Sequence, residues 1–187
     1  MRVRRSFPCF KDAPRALIYL PGHCGPISIW MALKYFRVRH SAKRIIQSCK
    51  YTKKYGTFTI GVAVCLKEFG LEVALHTDID RDPKMIERYL YRKADAIGIP
   101  IKPTISLKAL LAEICNDTIA IVSFDTKEGF GHLSPLIGVR DDSLILPLTD
   151  DQFMTKRDFI KGWNAPEICR QYVLIKRPSI SDRYYPT

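Results

Sequence analysis

The apolar residues of this chain change their spacing along its length, and that change narrows the folds open to it. In the first half they recur at helical intervals; in the second they form short continuous or alternating runs. Helical segments gathered ahead of strand segments indicate an α+β fold, not the alternating units of a parallel α/β sheet. With 187 residues and no repeat, low-complexity tract or linker, the sequence reads as a single domain over 1–187, with a basic irregular arm at 1–15 and a tail at 177–187.

Local signals predict the elements. Residues 16–19 read as a short strand before the Pro21-Gly22 turn, and a helix follows over about 24–36 with Pro26 in its first turn. Ser41 caps a helix to about residue 48, and Thr57 or Thr59 opens another that stops at Gly70. Residues 71–76 alternate as a strand. Asp82-Pro83 starts a helix to about residue 91, residues 97–101 are extended, and Ser106 caps a helix over 107–115. Strands are expected at 118–124, from His132 onward, at 144–146 after an Asp141-Asp142-Ser143 turn, and at 171–175; Thr155 caps a helix over 156–163. Trp30, Met31, Tyr35 and Trp163 read as core packing.

Within this pattern one cysteine stands apart. Gly22-His23-Cys24-Gly25-Pro26 places Cys24 where a turn becomes a helix. Backbone N–H groups there lack partners and the helix dipole is positive, which favours a thiolate. Further on, Gly131-His132 opens an apolar strand whose imidazole could take the thiol proton. A third group must orient the ring. A strand antiparallel to the His132 strand would return its far end near His132, which favours Asp150, with Asp151 second; Asp141 and Asp142 read as turn residues. His23 and Cys24 are neighbours that can point apart, so His23 is a possible oxyanion donor and not the base.

The net charge of +11 is scattered in small clusters, such as Arg37, Arg39, Lys43 and Arg44. It favours acidic partners, but no nucleic-acid module accompanies it, so a nucleic-acid partner is not expected. The six cysteines include no Cys-x-x-Cys pair and no His or Cys ligand spacing, so neither a metal nor a cofactor is expected. Cys65 and Cys115 read as small core residues. Residues 1–10 are basic and lack an apolar signal segment, which favours a reduced, cytoplasmic setting or export as an effector without a cleaved signal. No apolar run reaches the roughly 18 residues of a membrane span.

The helix from Cys24-Gly25-Pro26 to Leu33-Lys34-Tyr35-Phe36 resembles the nucleophile helix of papain-like cysteine peptidases, in the branch of bacteriocin leader-processing, double-glycine peptidases. The Gly70-Leu71-Glu72-Val73 turn, the Gly131-His132 strand with its Asp141-Asp142 hairpin, and Phe159 to Trp163 resemble later parts of the same domains, so the likeness covers most of 16–176. The resemblance implies a papain-like fold with Cys24 as nucleophile and His132 as base. Two departures stand out. Relatives carry an oxyanion-hole glutamine upstream of the cysteine, where this chain has Leu17-Ile18-Tyr19-Leu20, leaving Tyr19 or His23 as substitutes. Relatives also place Asp-Pro or Asn-Pro past the hairpin, where this chain has Pro147-Leu148, with Asp150 following.

The leading expectation is a cysteine hydrolase of peptide, isopeptide or other amide bonds, with Gly25 and Gly131 leaving room along the substrate groove. Its substrate would be a peptide or protein, acidic side chains being favoured by the charge. The alternatives are acyl transfer or deamidation on the same fold, and a degenerate module that binds an extended peptide.

Overall fold

The computed structural model describes residues 6–177. A single 3₁₀ turn, Phe10–Asp12, precedes the first helix, so the described part of the arm is not wholly irregular; residues 1–5 of the arm, and the tail beyond Arg177, lie outside the described residues. Helices follow at Arg15–Ile18 (α1), Cys24–Tyr35 (α2), Ala42–Ser48 (α3) and Thr59–Glu68 (α4). Strand Glu72–His76 (β1), helix Met85–Ala96 (α5), strand Ile101–Lys102 (β2) and helix Leu107–Glu113 (α6) come next. The remainder is Thr118–Asp125 (β3), Gly131–Leu136 (β4), Gly138–Arg140 (β5), Ser143–Ile145 (β6), Phe153–Thr155 (β7), Lys156–Trp163 (α7) and Tyr172–Lys176 (β8).

Several expectations are corrected. Residues 15–18 form a helical turn, not a strand. Pro14 sits at its start, needs no N–H there, and its carbonyl accepts from Leu17 and Ile18. Helix α5 begins later than Asp82-Pro83 suggests: Asp82 N–H is taken by the Asp80 carboxylate, and Glu87 reaches back to Lys84 N–H at 2.9 Å, capping the helix there. It also runs past residue 91, so Ile97 closes the helix and only Ile101–Lys102 is extended. Helix α6 ends at Glu113, and Cys115 is exposed, whereas Cys65 is buried as expected. Strand β7 carries no signal of its own in the sequence; it forms because β6 pairs with it.

The main sheet has the order β2-β1-β8-β3-β4 and is antiparallel except for β1 with β2. Alternation along its strands feeds two cores. Val73, Leu75, Ile119, Ile121, Val173 and Ile175 face α2 and α4. Ala120, Val122, Phe124, Tyr172 and Leu174 face α7, with its Phe159 and Trp163. Strands β5-β6-β7 form a separate small sheet beyond β4. Helix α2 is buried on nearly every side, with Ile27, Ile29, Met31 and Ala32 fully enclosed, and it packs against β4 at the edge of the main sheet. An edge strand covered by a helix does not offer its backbone to another chain. No helix among the described residues is long and apolar enough to cross a membrane.

Candidate active site

The Pro21–Cys24 turn delivers Cys24 as the first residue of α2. Gly22 adopts φ +64°, a left-handed conformation that glycine takes without cost, and lies against Gly56, φ +66°. Tyr51 Oη donates to the Pro21 carbonyl at 2.7 Å and ties the turn down. Gly25 packs closely on its neighbour: a Cβ there would lie 2.5 Å from Thr57 Cβ, so only glycine lets α2 approach this closely.

The strand carrying His132 is stapled to α2 through the next residue. Leu133 N–H faces the Cys24 sulfur, and Leu133 C=O accepts from Ser28 Oγ at 3.1 Å. Cys24 and Ser28 lie one helical turn apart, so one face of α2 holds both polar groups of a single peptide-linked residue on β4. The N–H groups of Gly25 and of Cys24 itself also face the sulfur. All three donors favour the thiolate, but burial outweighs them and pushes the Cys24 thiol above its ordinary range. The helix terminus therefore does not leave a ready-made thiolate, as its position in the sequence suggested.

His132 is half-buried, edge-on to Phe124 with ring centroids 5.4 Å apart. Its Nε2 lies 2.8 Å from the Leu148 carbonyl. A carbonyl can only accept, so Nε2 carries the proton and Nδ1 is the acceptor of the neutral ring. Burial holds the His132 pKa below its usual value; the Leu148 hydrogen bond and the more distant charge of Asp150 oppose this, while His23 adds to it. Both partners thus rest neutral at pH 7.

The other expected residues fall around this pair in different ways. Asp150 and Asp151 are exposed, and neither side chain makes a hydrogen bond or ion pair among the described residues. The loop turns on itself, with Thr149 N–H on Leu146 C=O and Gln152 N–H on Thr149 C=O, so Leu148 presents its carbonyl to the ring ahead of either carboxylate. Asp141, with φ +53°, makes the β5–β6 turn, and Asp142 pairs with Lys156. His23 stacks on Phe10 at 5.7 Å, with Nδ1 3.1 Å from the Leu20 carbonyl. Tyr19 is 78% exposed and does not line the cleft that holds Cys24 and His132. Of the stretch Leu17-Ile18-Tyr19-Leu20, the first two residues end α1, and Ile18 is half-buried there.

Cys24, Gly131, His132 and Leu133 line one cleft of about 720 Å³. Residues 53–59 and Ile168, Cys169 and Gln171 also line it. The cleft is electrically mixed, with Lys53 and Lys54 present alongside Asp80, Asp82 and Glu87. No cluster of His, Cys, Asp and Glu among the described residues could hold a metal ion. Sequence reasoning passed over Ser28, Ser134 and Leu148. A signal existed for Ser134 alone, a polar residue at strand spacing from His132 inside an apolar run.

No protein-family model matches the sequence, and no curated protein matches it. Among solved structures, the chain is similar to a double-glycine motif protease from an AMS/PCAT transporter in complex with the leader peptide. The TM-score is 0.59 at 14% identity, over 95% of this chain and 96% of that one. It is also similar to the peptidase domain of Streptococcus ComA, a bifunctional ABC transporter involved in quorum sensing. There the TM-score is 0.51 at 16% identity, over 83% of this chain and 91% of that one. The chain therefore shares the α+β fold of this double-glycine motif protease and this transporter peptidase domain.

Proposed function

We propose that this protein is a cysteine hydrolase that cleaves a peptide or related amide bond, with Cys24 as nucleophile and His132 as general base. The observation that carries this reading is the sharing of one cleft by Cys24 and His132, with Leu133 N–H on the sulfur. His132 Nδ1 would take the thiol proton as Cys24 Sγ attacks the carbonyl carbon. The N–H groups of Cys24 and Gly25 at the helix terminus are the available donors for the developing oxyanion. His132 would then return the proton to the leaving amine, leaving an acyl-enzyme that water resolves. The orienting acceptor is the Leu148 carbonyl, with Asp150 acting only through its charge.

A peptide substrate agrees with the leader peptide bound to the AMS/PCAT protease. In this cleft Lys53 and Lys54 would receive an acidic side chain, while Asp80 and Asp82 would receive a basic one. One domain with its site between α2 and β4 accounts for all of this.

One observation favours slower hydrolysis than in relatives. No glutamine occurs in residues 16–23 ahead of Cys24, where the resemblance places an oxyanion donor, and losing one such donor costs about 10²–10³ in rate in a well-studied protease. Turnover of this size leaves room for the peptide-binding role.

Acylation by p-nitrophenyl acetate tests the nucleophile. The expected result is acetyl mass mapped to Cys24 and absent in Cys24→Ala. Acetylation of only the exposed Cys9 and Cys115 would sink the assignment.

A further inference from the structure

His132 and Ser134 are two residues apart on β4, so their side chains leave the strand on the same face. Both reach the same residue. His132 Nε2 donates to Leu148 C=O at 2.8 Å, and Leu148 N–H donates to Ser134 Oγ at 3.2 Å. The Ser134 hydroxyl hydrogen is committed to the Pro135 carbonyl at 3.2 Å, leaving its lone pairs for Leu148. Leu148 is thus gripped at both backbone polar groups by two side chains one pleat apart.

Ser134 is fully buried, in the run Leu133-Ser134-Pro135-Leu136 whose other members are apolar. An apolar residue would be cheaper to bury there, since a hydroxyl loses its water on entering such a site. Nothing else among the described residues uses that hydroxyl as an acceptor. The far side of the loop is closed as well: Leu146 N–H donates to Gln152 C=O at 2.9 Å, and Thr149 Oγ1 donates to Leu146 C=O at 2.9 Å. The Leu148 carbonyl therefore has a fixed direction, which an orienting acceptor needs and an exposed carboxylate such as Asp150 lacks.

We propose that Ser134 is the positioning residue of this site: by holding Leu148 N–H it aims the Leu148 carbonyl at His132 Nε2, fixing the ring as the Nε2–H tautomer with Nδ1 turned to Cys24. The proposal rests on the Cys24–His132 reading above. It replaces the charged third member of a triad with a neutral peptide oxygen. Such an acceptor selects the tautomer as a carboxylate does, but supports the imidazolium less strongly. The proton would then move from Cys24 to His132 only as substrate is attacked, not before it binds.

The test uses ¹⁵N-histidine-labelled protein and p-nitrophenyl acetate, with the His132 signals picked out of the four histidines by their loss in His132→Gln. The wild-type His132 ring is expected as the pure Nε2–H tautomer at neutral pH. In Ser134→Ala the ring nitrogens should shift toward a tautomer mixture. Acetylation of Cys24 should slow about 10-fold, the scale of one lost neutral hydrogen bond. Ser134→Thr, which keeps the hydroxyl, should recover most of both. Where Ser134→Ala fails to fold, the wild-type spectrum still decides: a ring protonated at Nδ1 overturns the proposal. Slow acetylation in His132→Gln beside normal acetylation and an unmoved ring in Ser134→Ala overturns it while leaving the Cys24–His132 reading intact. Normal Cys24 acetylation in His132→Gln removes both.

Discussion

The two halves of the candidate site are built in opposite ways. The Cys24 half is local: a turn made by Gly22, a helix that starts at once, and Gly25 packed on Thr57 lie within a few residues of the sulfur, apart from Thr57 itself. The His132 half is assembled across the chain, from a strand residue, a loop carbonyl and a buried hydroxyl that meet only after β4 and the 146–152 loop have folded together. The difference teaches that a nucleophile can be advertised by its own neighbours, while the group that orients its base need not be a conspicuous residue at all. A backbone carbonyl has no letter in the sequence.

The sharpest way to break the comparison is at the imidazole. His132→Ala should lower Cys24 acylation by about 10²–10⁴, the usual range for loss of a positioned general base. The pH profile in the wild type carries the sign. Burial lowers the His132 pKa and raises that of Cys24. The base form of His132 thus persists below its ordinary midpoint of 6.5, and the thiol stays protonated above 9.0. Initial rates should form a broad plateau between those values, falling only on the acid side of 6.5 and changing again only above 9.0. Rates that already fall on the alkaline side below 9.0, as a preformed thiolate–imidazolium pair loses its imidazolium proton, would contradict the neutral resting state.

The local half breaks differently. Gly25→Ala drives a methyl into Thr57 and should destabilise the protein by about 1–3 kcal/mol, the usual cost of overpacking. Urea unfolding checks this, and an unchanged midpoint would mean that α2 can retreat from Thr57 freely. The smallest effect is expected at Asp150, whose exposed charge supports the protonated His132 ring from a distance. Asp150→Asn should lower the His132 pKa slightly, read from ring NMR titration. A loss of tautomer order in that variant would return the orienting role to the carboxylate.

Much of the fold was legible. Ser41, Ser106 and Thr155 each cap the helix expected of them, their oxygens accepting from Arg44, Ala109 and Asp158 N–H. Capping is a contact between near neighbours, so the sequence carries it whole. Strands β3 and β8 were legible for a related reason, since both faces are buried and the runs are continuously apolar. The failures have the opposite character. Residues 15–18 are too few for periodicity to separate strand from helix. Strand β7, exposed at Phe153, exists only through its pairing with β6. Cys115, placed at the end of a helical pattern, is left outside because α6 stops short of it.

The sequence by itself determined the α+β class, the start of α2 and the position of Cys24 within it, because turn chemistry, capping and hydrophobic spacing act over a few residues. Only the tertiary structure decided which side chains share the cleft, how burial outweighs three N–H donors at the sulfur, and that a peptide oxygen stands where a carboxylate was expected. Desolvation and long-range hydrogen bonds depend on what the rest of the chain brings alongside, and no local pattern encodes that.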